Sequence, residues 1–252
     1  MNALQRTLAA CLGVFFFWGT SGPVPHAGAE PETGIYADLL RKYVKNGLVD
    51  YAGFKKEEAR LGLYLASLEK TDTRVLPRDN QFAFYINAYN AWTIKLILGA
   101  YPGIKSIKEL GSWLKSPWKR KIARIDGDVI SLDDIEHKIL RPRFKDPRIH
   151  FAVNCASRSC PALGSEPYQG AVLDGQLTGM TRAFINDPVR NRLQGNTLQV
   201  SSIFKWYLED FNKDIVGFFM IYADPGLKEQ LEAEADRIKV EYLDYDWSLN
   251  GR

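Results

Sequence analysis

The spacing of apolar side chains predicts a chain built mainly of helices. Apolar positions recur three and four residues apart, which is the period of one face of an α-helix. This pattern covers residues 35–45, 56–69, 80–99, 131–140, 173–185, 202–210, 214–222 and 226–236. Turn and cap residues separate the segments, so we expect a helix-rich fold.

Fewer segments have the pattern of strands, and most of them form hairpins. Residues 119–130 predict a hairpin that turns at Asp126 and Gly127, and residues 191–200 predict a second one. Residues 238–243 predict a last strand. Because hairpins are not alternating βαβ units, we expect an α+β fold with a small, mostly antiparallel sheet. No linker divides residues 30–252, which we expect to form a single domain.

One predicted helix is apolar on nearly all sides. Residues 81–98 contain few polar side chains, which is typical of a helix buried at the centre of a domain. Asn87 and Asn90 lie three residues apart within it and therefore share a face. A buried amide without partners costs about 1–3 kcal/mol. The two amides either brace neighbouring loops or line a polar cleft and orient a catalytic group.

The N-terminus has the anatomy of a secretory signal peptide. Arg6 is followed by an eleven-residue apolar run, residues 8–18, and Ala27-Gly28-Ala29 has the form of a cleavage site. We expect removal of residues 1–29 and export to the periplasm. Eleven residues are too few to cross about 30 Å of hydrocarbon, and no other segment approaches that length. The mature chain is therefore expected to lack a membrane span.

Bulk composition changes this picture little. The chain has 252 residues, of which 46% are hydrophobic and 25% charged, with a net charge of +3. Such values are ordinary for a globular protein and do not predict binding of nucleic acid. The partner expected is a small-molecule or peptide ligand, and no cofactor is indicated.

The reactive side chains are concentrated in one region. The sequence has three cysteines and three histidines, and removal of residues 1–29 takes away Cys11 and His26. The two cysteines and two histidines that remain lie between His137 and Cys160. These side chains are suited to nucleophilic, redox or metal chemistry, so this region is the predicted functional centre.

A cysteine-dependent hydrolase or acyl transferase is the first hypothesis. Cys155 follows an apolar run, residues 148–153, which we interpret as a strand carrying His150. Such an enzyme needs a thiolate, a base and a group that orients the base. Cys155 is the predicted nucleophile. The predicted base is His150 or His137, and the predicted orienting groups are Glu136, Asn87 and Asn90.

Two further hypotheses use the same residues. In an oxidising compartment Cys155 and Cys160 are expected to pair, and a disulfide would then hold a binding loop rigid in a non-catalytic protein. A bridge over so short a loop stabilises the fold by only ~2 kcal/mol. Alternatively, His150, Cys155 and Cys160 form a zinc site with His137 as a fourth ligand, although their spacing matches no common zinc signature.

The order of motifs resembles the family known as domain of unknown function 547, DUF547. The resemblance rests on residues 84–91, 134–141, 150–161, 203–207, 210–211 and 242–250. Together these motifs cover roughly residues 75–250. The resemblance implies an exported bacterial protein of unassigned activity, and it assigns no role to any residue.

Overall fold

Helices account for most of the secondary structure in a computed structural model of the protein, which describes residues 33–112, 115–235 and 237–252. The predicted signal peptide, residues 1–29, lies outside the described residues. The α-helices are α1 (Gly34–Tyr43), α2 (Tyr51–Lys56), α3 (Glu58–Lys70), α4 (Arg78–Leu98), α5 (Leu132–Asp134), α6 (Ile149–Ala152), α7 (Leu173–Ile185), α8 (Ser202–Trp206), α9 (Ile215–Tyr222) and α10 (Pro225–Ala233).

The strands form three small sheets among the described residues. They are β1 (Val44–Lys45), β2 (Leu48–Val49), β3 (Lys121–Ile125), β4 (Asp128–Ser131), β5 (Arg192–Gln194), β6 (Thr197–Ser201) and β7 (Lys239–Leu243). Strands β1 and β2 pair antiparallel, as do β3 with β4 and β5 with β6, whereas β7 runs parallel to β6. The prediction of a helix-rich α+β fold with a small, mostly antiparallel sheet is confirmed.

Helix α4 is the buried central helix that its sequence predicts. It is buried on almost every side and packs against α3, the β3–β4 hairpin and the helical segment that follows α5. This arrangement follows from the apolar side chains around the whole helix, since each of its faces needs a covering layer.

Helix α5 begins at a capping box and continues into a wider helix. The Ser131 hydroxyl accepts a hydrogen bond from the Asp134 backbone N–H, and the Asp134 carboxylate accepts one from the Ser131 backbone N–H. The predicted cap at Ser131 is therefore confirmed. The chain continues as a π-helix, Ile135–Phe144, beyond the predicted end at residue 140. This segment carries Glu136 and His137.

The prediction of a strand at residues 148–153 is wrong. The chain forms helix α6, and Val153 at its end is extended. Asp146 and Pro147 begin the turn, because their carbonyls accept hydrogen bonds from the N–H groups of Ile149 and His150. A short apolar run fits a buried strand and a buried helical turn equally well, so its periodicity does not distinguish them.

Two hydrophobic cores meet at this short helix. Val153 belongs to the first core, which surrounds α4. Phe151 belongs to the second, where it packs against the rings of Phe184 and Phe204. Helix α6 and the residue after it therefore contribute side chains to both cores.

No helix within residues 33–112, 115–235 and 237–252 is both long enough and apolar enough to cross a bilayer.

Candidate functional site

A cavity of about 270 Å³ opens where the two cores meet. Four of the predicted site residues line it, namely Cys155, His150, His137 and Glu136. Other lining residues are Tyr89, Trp118, Asp133, Trp206, Tyr207, Tyr245 and Trp247. The tertiary fold thus brings the two histidines and the two cysteines of the predicted centre to one cavity, since Cys160 lines it too.

Cys155 is half-buried, and hydroxyl groups surround its sulfur. Cys155 Sγ lies 3.1 Å from Ser157 Oγ and 3.3 Å from Tyr245 Oη. Burial by itself raises the pKa of this thiol, but hydrogen bonds from Cys160, Ser157 and Tyr245 outweigh burial and lower the pKa to about 7. A substantial fraction of Cys155 is therefore thiolate at neutral pH.

Cys160 is a buried thiol that supports the backbone of Cys155. Its sulfur accepts the Cys155 backbone N–H at 2.8 Å. Burial raises the pKa of Cys160 well above its ordinary value, so it stays protonated while Cys155 ionises. Both cysteines are free thiols in the structure, and the predicted disulfide is not present.

His150 is buried and held by a carboxylate. Its Nε2 lies 2.7 Å from Asp210 Oδ2, and its ring stacks on Tyr207 with centroids 3.9 Å apart. A carboxylate only accepts hydrogen bonds, so Nε2 carries the proton. The other nitrogen, Nδ1, is buried and has no partner among the described residues. Burial lowers the pKa of His150, which keeps Nδ1 available as a base.

Asp210 is fixed from both sides. Arg141 binds its two carboxylate oxygens at 2.6 and 2.9 Å, and His150 shares one of them. Burial opposes ionisation, but the bonds from His150 and Arg141 hold the pKa of Asp210 below its usual range. An ionised Asp210 in turn fixes the tautomer of His150.

His137 lies at the mouth of the cavity and is partly exposed. Its Nδ1 accepts a hydrogen bond from Arg141 Nη1 at 3.1 Å, because a guanidinium only donates. Its Nε2 faces Asp133 at 3.9 Å. Unlike the Nδ1 of His150, the Nδ1 lone pair of His137 is therefore occupied.

Glu136 is buried, and within the described part of the chain it forms no hydrogen bond with either histidine. Its Oε1 accepts the Tyr207 hydroxyl at 2.6 Å, and Tyr207 stacks on His150. The carboxylate that orients His150 is Asp210, which the sequence motifs contained without a role. Glu136 reaches His150 through Tyr207, and its orienting role stays a prediction.

Asn87 and Asn90 lie outside the lining of the cavity and brace backbone. The Asn87 side chain donates a hydrogen bond to the Tyr168 carbonyl and accepts one from the Tyr168 N–H, both at 2.8 Å. Asn90 donates to the Ala152 carbonyl at 2.9 Å and accepts the Asn154 N–H at 2.8 Å. The loop-bracing interpretation is the one that matches these contacts. Asn90 thus holds the backbone segment that joins His150 to Cys155.

The C-terminal tail, residues 244–252, fixes the cysteine loop. Ser157 forms a β-bridge with Leu249, and the Asn250 backbone N–H donates to the Ala156 carbonyl at 3.1 Å. The Asn250 side chain donates to the Asn154 carbonyl oxygen Oδ1 at 3.2 Å. These contacts also bring Tyr245 to Cys155, so the tail completes the site.

The described residues give no support to a metal centre. No group of three or more histidine, cysteine, aspartate or glutamate side chains among them is arranged to hold a metal ion. The predicted zinc set of His150, Cys155 and Cys160 is therefore not assembled. Among the described residues, Cys155 Sγ also forms no hydrogen bond with the imidazole of His137 or of His150.

Sequence reasoning missed several residues that the fold brings to the cavity. Asp210, Arg141 and Tyr207 lie within the quoted motifs, as does Tyr245, yet nothing in their spacing assigns them a role. Each pairs with a partner distant in sequence, apart from the Arg141 contact with His137. The signal that could have found them was their place within these motifs.

Comparisons with known proteins agree with the motifs. A family model described as "Protein of unknown function, DUF547" matches residues 73–185. No curated protein and no solved structure matches the chain. The matched segment contains Cys155, His150 and Glu136. Residues 73–185 of this chain are thus similar to the DUF547 family.

Proposed function

We propose that this protein is a cysteine-dependent hydrolase or acyl transferase. Cys155 is the nucleophile, His150 the base, and Asp210 the group that orients the base. The observation that carries the proposal is the cavity lined by a thiol of lowered pKa and by an imidazole with a free Nδ1. An activated nucleophile, a base and a third group that orients the base are the parts that acyl transfer requires.

The choice of His150 over His137 follows from their ring nitrogens. Nε2 of His150 donates to Asp210, which leaves the lone pair of Nδ1 free to accept a proton. In His137, the Nδ1 lone pair is taken by Arg141. His150 is thus the imidazole that is ready to act as a base. Contacts between nucleophile and base are often long in a resting site and tighten when substrate binds.

In the proposed reaction, His150 accepts one proton and returns it in each half of the cycle. Cys155 gives its proton to Nδ1 of His150 and attacks a carbonyl carbon. The carbon–sulfur bond forms, the bond to the leaving group breaks, and the leaving group takes the proton from His150. Water or an amine then attacks the thioester and gives a proton to His150. The carbon–sulfur bond breaks, and the thiolate recovers that proton.

Alkylation and acylation of the purified protein test this proposal. Iodoacetamide is expected to modify Cys155 with a rate that rises with pH through about 7, where the thiol ionises. p-Nitrophenyl acetate is expected to leave an acetyl group on Cys155, identified by peptide mass spectrometry.

Cys155→Ser should abolish the acylation, and His150→Gln should slow it strongly. Cys160→Ser is the matched control for the nucleophile, since it should leave the acetylated residue unchanged. A wild-type protein whose Cys155 is neither acylated nor alkylated faster than an ordinary thiol contradicts the proposal.

We further propose that the chain is exported after cleavage before Glu30 and that residues 30–252 form one domain. The support is the charged, apolar and small-residue order of residues 1–29. N-terminal sequencing of the protein from a periplasmic fraction is expected to begin at Glu30. An intact Met1 in that fraction contradicts this proposal.

A further inference from the structure

The side chain of Glu136 is a buried carboxylate without a cationic partner. The residue is 6% exposed, lines the cavity and accepts one hydrogen bond, from Tyr207 to Oε1. It forms no ion pair with any described lysine, arginine or histidine, whereas buried charges are normally paired. The Arg141 charge acts on Glu136 from a distance, but no cationic group contacts the Glu136 carboxylate directly, and a ligand can supply that contact.

The other charged side chains near Glu136 also favour a cationic ligand. Asp133 also lines the cavity, and the described lining residues include no lysine or arginine. Arg141 lies nearby, but its guanidinium is bound to Asp210 and His137. The cavity is therefore acidic. A ligand with a carboxylate or phosphate group finds no cationic side chain in that lining.

Aromatic rings form the outer wall. Trp206, Tyr245 and Trp247 pack together, with centroids 4.8 Å apart for Trp206–Tyr245 and 4.5 Å for Tyr245–Trp247. The Lys108 ammonium already lies 4.1 Å from the ring centroid of Trp247. Trp206 is 47% exposed. The faces of such rings attract cations.

We propose that the cavity binds a substrate carrying a primary ammonium group, which Glu136 neutralises beside the acyl carbon that Cys155 attacks. This inference rests on the proposed function, because it names the substrate class of the same cavity. Asp133 adds a second negative charge, and the aromatic wall contacts the alkyl chain and the cation. Substrates of this class include acyl derivatives of diamines and of lysine-like side chains.

Thiol reagents of matched size test the proposal without a known substrate. Aminoethyl methanethiosulfonate is cationic, hydroxyethyl methanethiosulfonate is neutral, and sulfonatoethyl methanethiosulfonate is anionic. Each transfers its alkylthio group to Cys155 and releases methanesulfinate. The ratio of the cationic to the neutral rate at Cys155 is expected to exceed that for free cysteine. Glu136→Gln should lower this ratio about fivefold, the effect of removing one charge close to the reagent in a partly desolvated site.

Two further variants make the test specific. Asp133→Asn is expected to lower the same ratio, and it carries the test if Glu136→Gln does not fold. Glu69→Gln is the matched control, because this exposed carboxylate pairs with Arg124 away from the cavity lining. It should leave the ratio unchanged. A wild-type ratio equal to that of free cysteine, or a folded Glu136→Gln protein with the wild-type ratio, overturns the inference.

The same data separate this inference from the proposed function. If Cys155 reacts slowly with all three reagents, the activated nucleophile is absent and the proposed function fails. If Cys155 reacts fast but without preference for the cation, only the ammonium inference fails. Peptide mass spectrometry distinguishes modification of Cys155 from that of Cys160.

Discussion

The Tyr245 hydroxyl lies 3.3 Å from the sulfur of Cys155, although the two residues are 90 positions apart in the sequence. Ser157 Oγ also contacts the sulfur, at 3.1 Å, and Tyr245 and Ser157 are themselves 3.2 Å apart. A thiolate can only accept from these hydroxyls, so both donate to Cys155 once it ionises. A residue from the C-terminal tail therefore helps to lower the pKa of Cys155, after Cys160 and Ser157.

Replacing Tyr245 should make the thiol less acidic. Tyr245→Phe removes one donor, and the pKa of Cys155 is expected to rise from about 7 toward the ordinary thiol value. A rise to about 8 lowers the alkylation rate near pH 7 about fivefold, because less thiolate is present. The pH profile of iodoacetamide alkylation measures this change. Tyr242→Phe, at an exposed tyrosine of strand β7, should leave the profile unchanged. An unaltered midpoint in Tyr245→Phe contradicts the role given to the hydroxyl.

Replacing Asp210 should impair acyl transfer more than thiol ionisation. Asp210→Asn keeps the shape but removes the charge that fixes Nε2–H of His150, so the base adopts the wrong tautomer. Acylation of Cys155 by p-nitrophenyl acetate is expected to slow by about 10²- to 10⁴-fold, the range for a lost orienting carboxylate. The neighbouring exposed variant Glu209→Gln serves as control. If Asp210→Asn acylates at the wild-type rate, His150 is not the base.

Asn87 and Asn90 provide a matched pair of buried amides. Each makes two hydrogen bonds to loop backbone, so Asn87→Ala and Asn90→Ala should each lower the free energy of unfolding by about 2–4 kcal/mol. Only Asn90→Ala is expected to slow alkylation of Cys155, because Asn90 holds the segment that leads to it. Urea unfolding and alkylation rates measure the two effects. Equal alkylation rates in both variants would contradict a positioning role for Asn90.

The capping box at Ser131 should contribute measurably to stability. Ser131→Ala removes the hydroxyl that caps helix α5, at a cost of about 0.5–2 kcal/mol in the free energy of unfolding. Thermal unfolding measures the loss. Ser165→Ala, at an exposed serine, is the control and should be neutral. A Ser131→Ala protein as stable as wild type would show that packing alone holds the start of α5.

Much of the fold could be predicted because local rules govern it. The hairpin turn at Asp126 and Gly127 follows from residues that accept positive φ angles, which are 52° and 85° there. The burial of α4 follows from its uniform apolar surface. The run around His150 was misread as a strand because four apolar residues fit either element, and the turn at Asp146 and Pro147 decided the outcome.

The site was predictable only in part, for a physical reason. The crowding of cysteine and histidine between His137 and Cys160 indicated the right region. The partners that tune these groups are distant in sequence, as with His150 and Asp210, which are 60 positions apart. Such pairs depend on how two cores pack together, and periodicity carries no information about that. The loop-bracing role of Asn87 and Asn90 was an open alternative for the same reason.

The docking of the C-terminal tail has a consequence for fragments of this protein. The segment matched by the family model ends at residue 185, and it includes both Cys155 and His150. Asp210 and Tyr245 come later in the chain. A polypeptide that ends at Ile185 would contain Cys155 and His150. It would lack the Asp210 carboxylate that binds the imidazole and the Tyr245 hydroxyl that lowers the pKa of the thiol. The proposed activity is therefore expected to need Asp210 and Tyr245 in addition to the matched segment, and proteolytic removal of the tail is expected to raise the pKa of the Cys155 thiol.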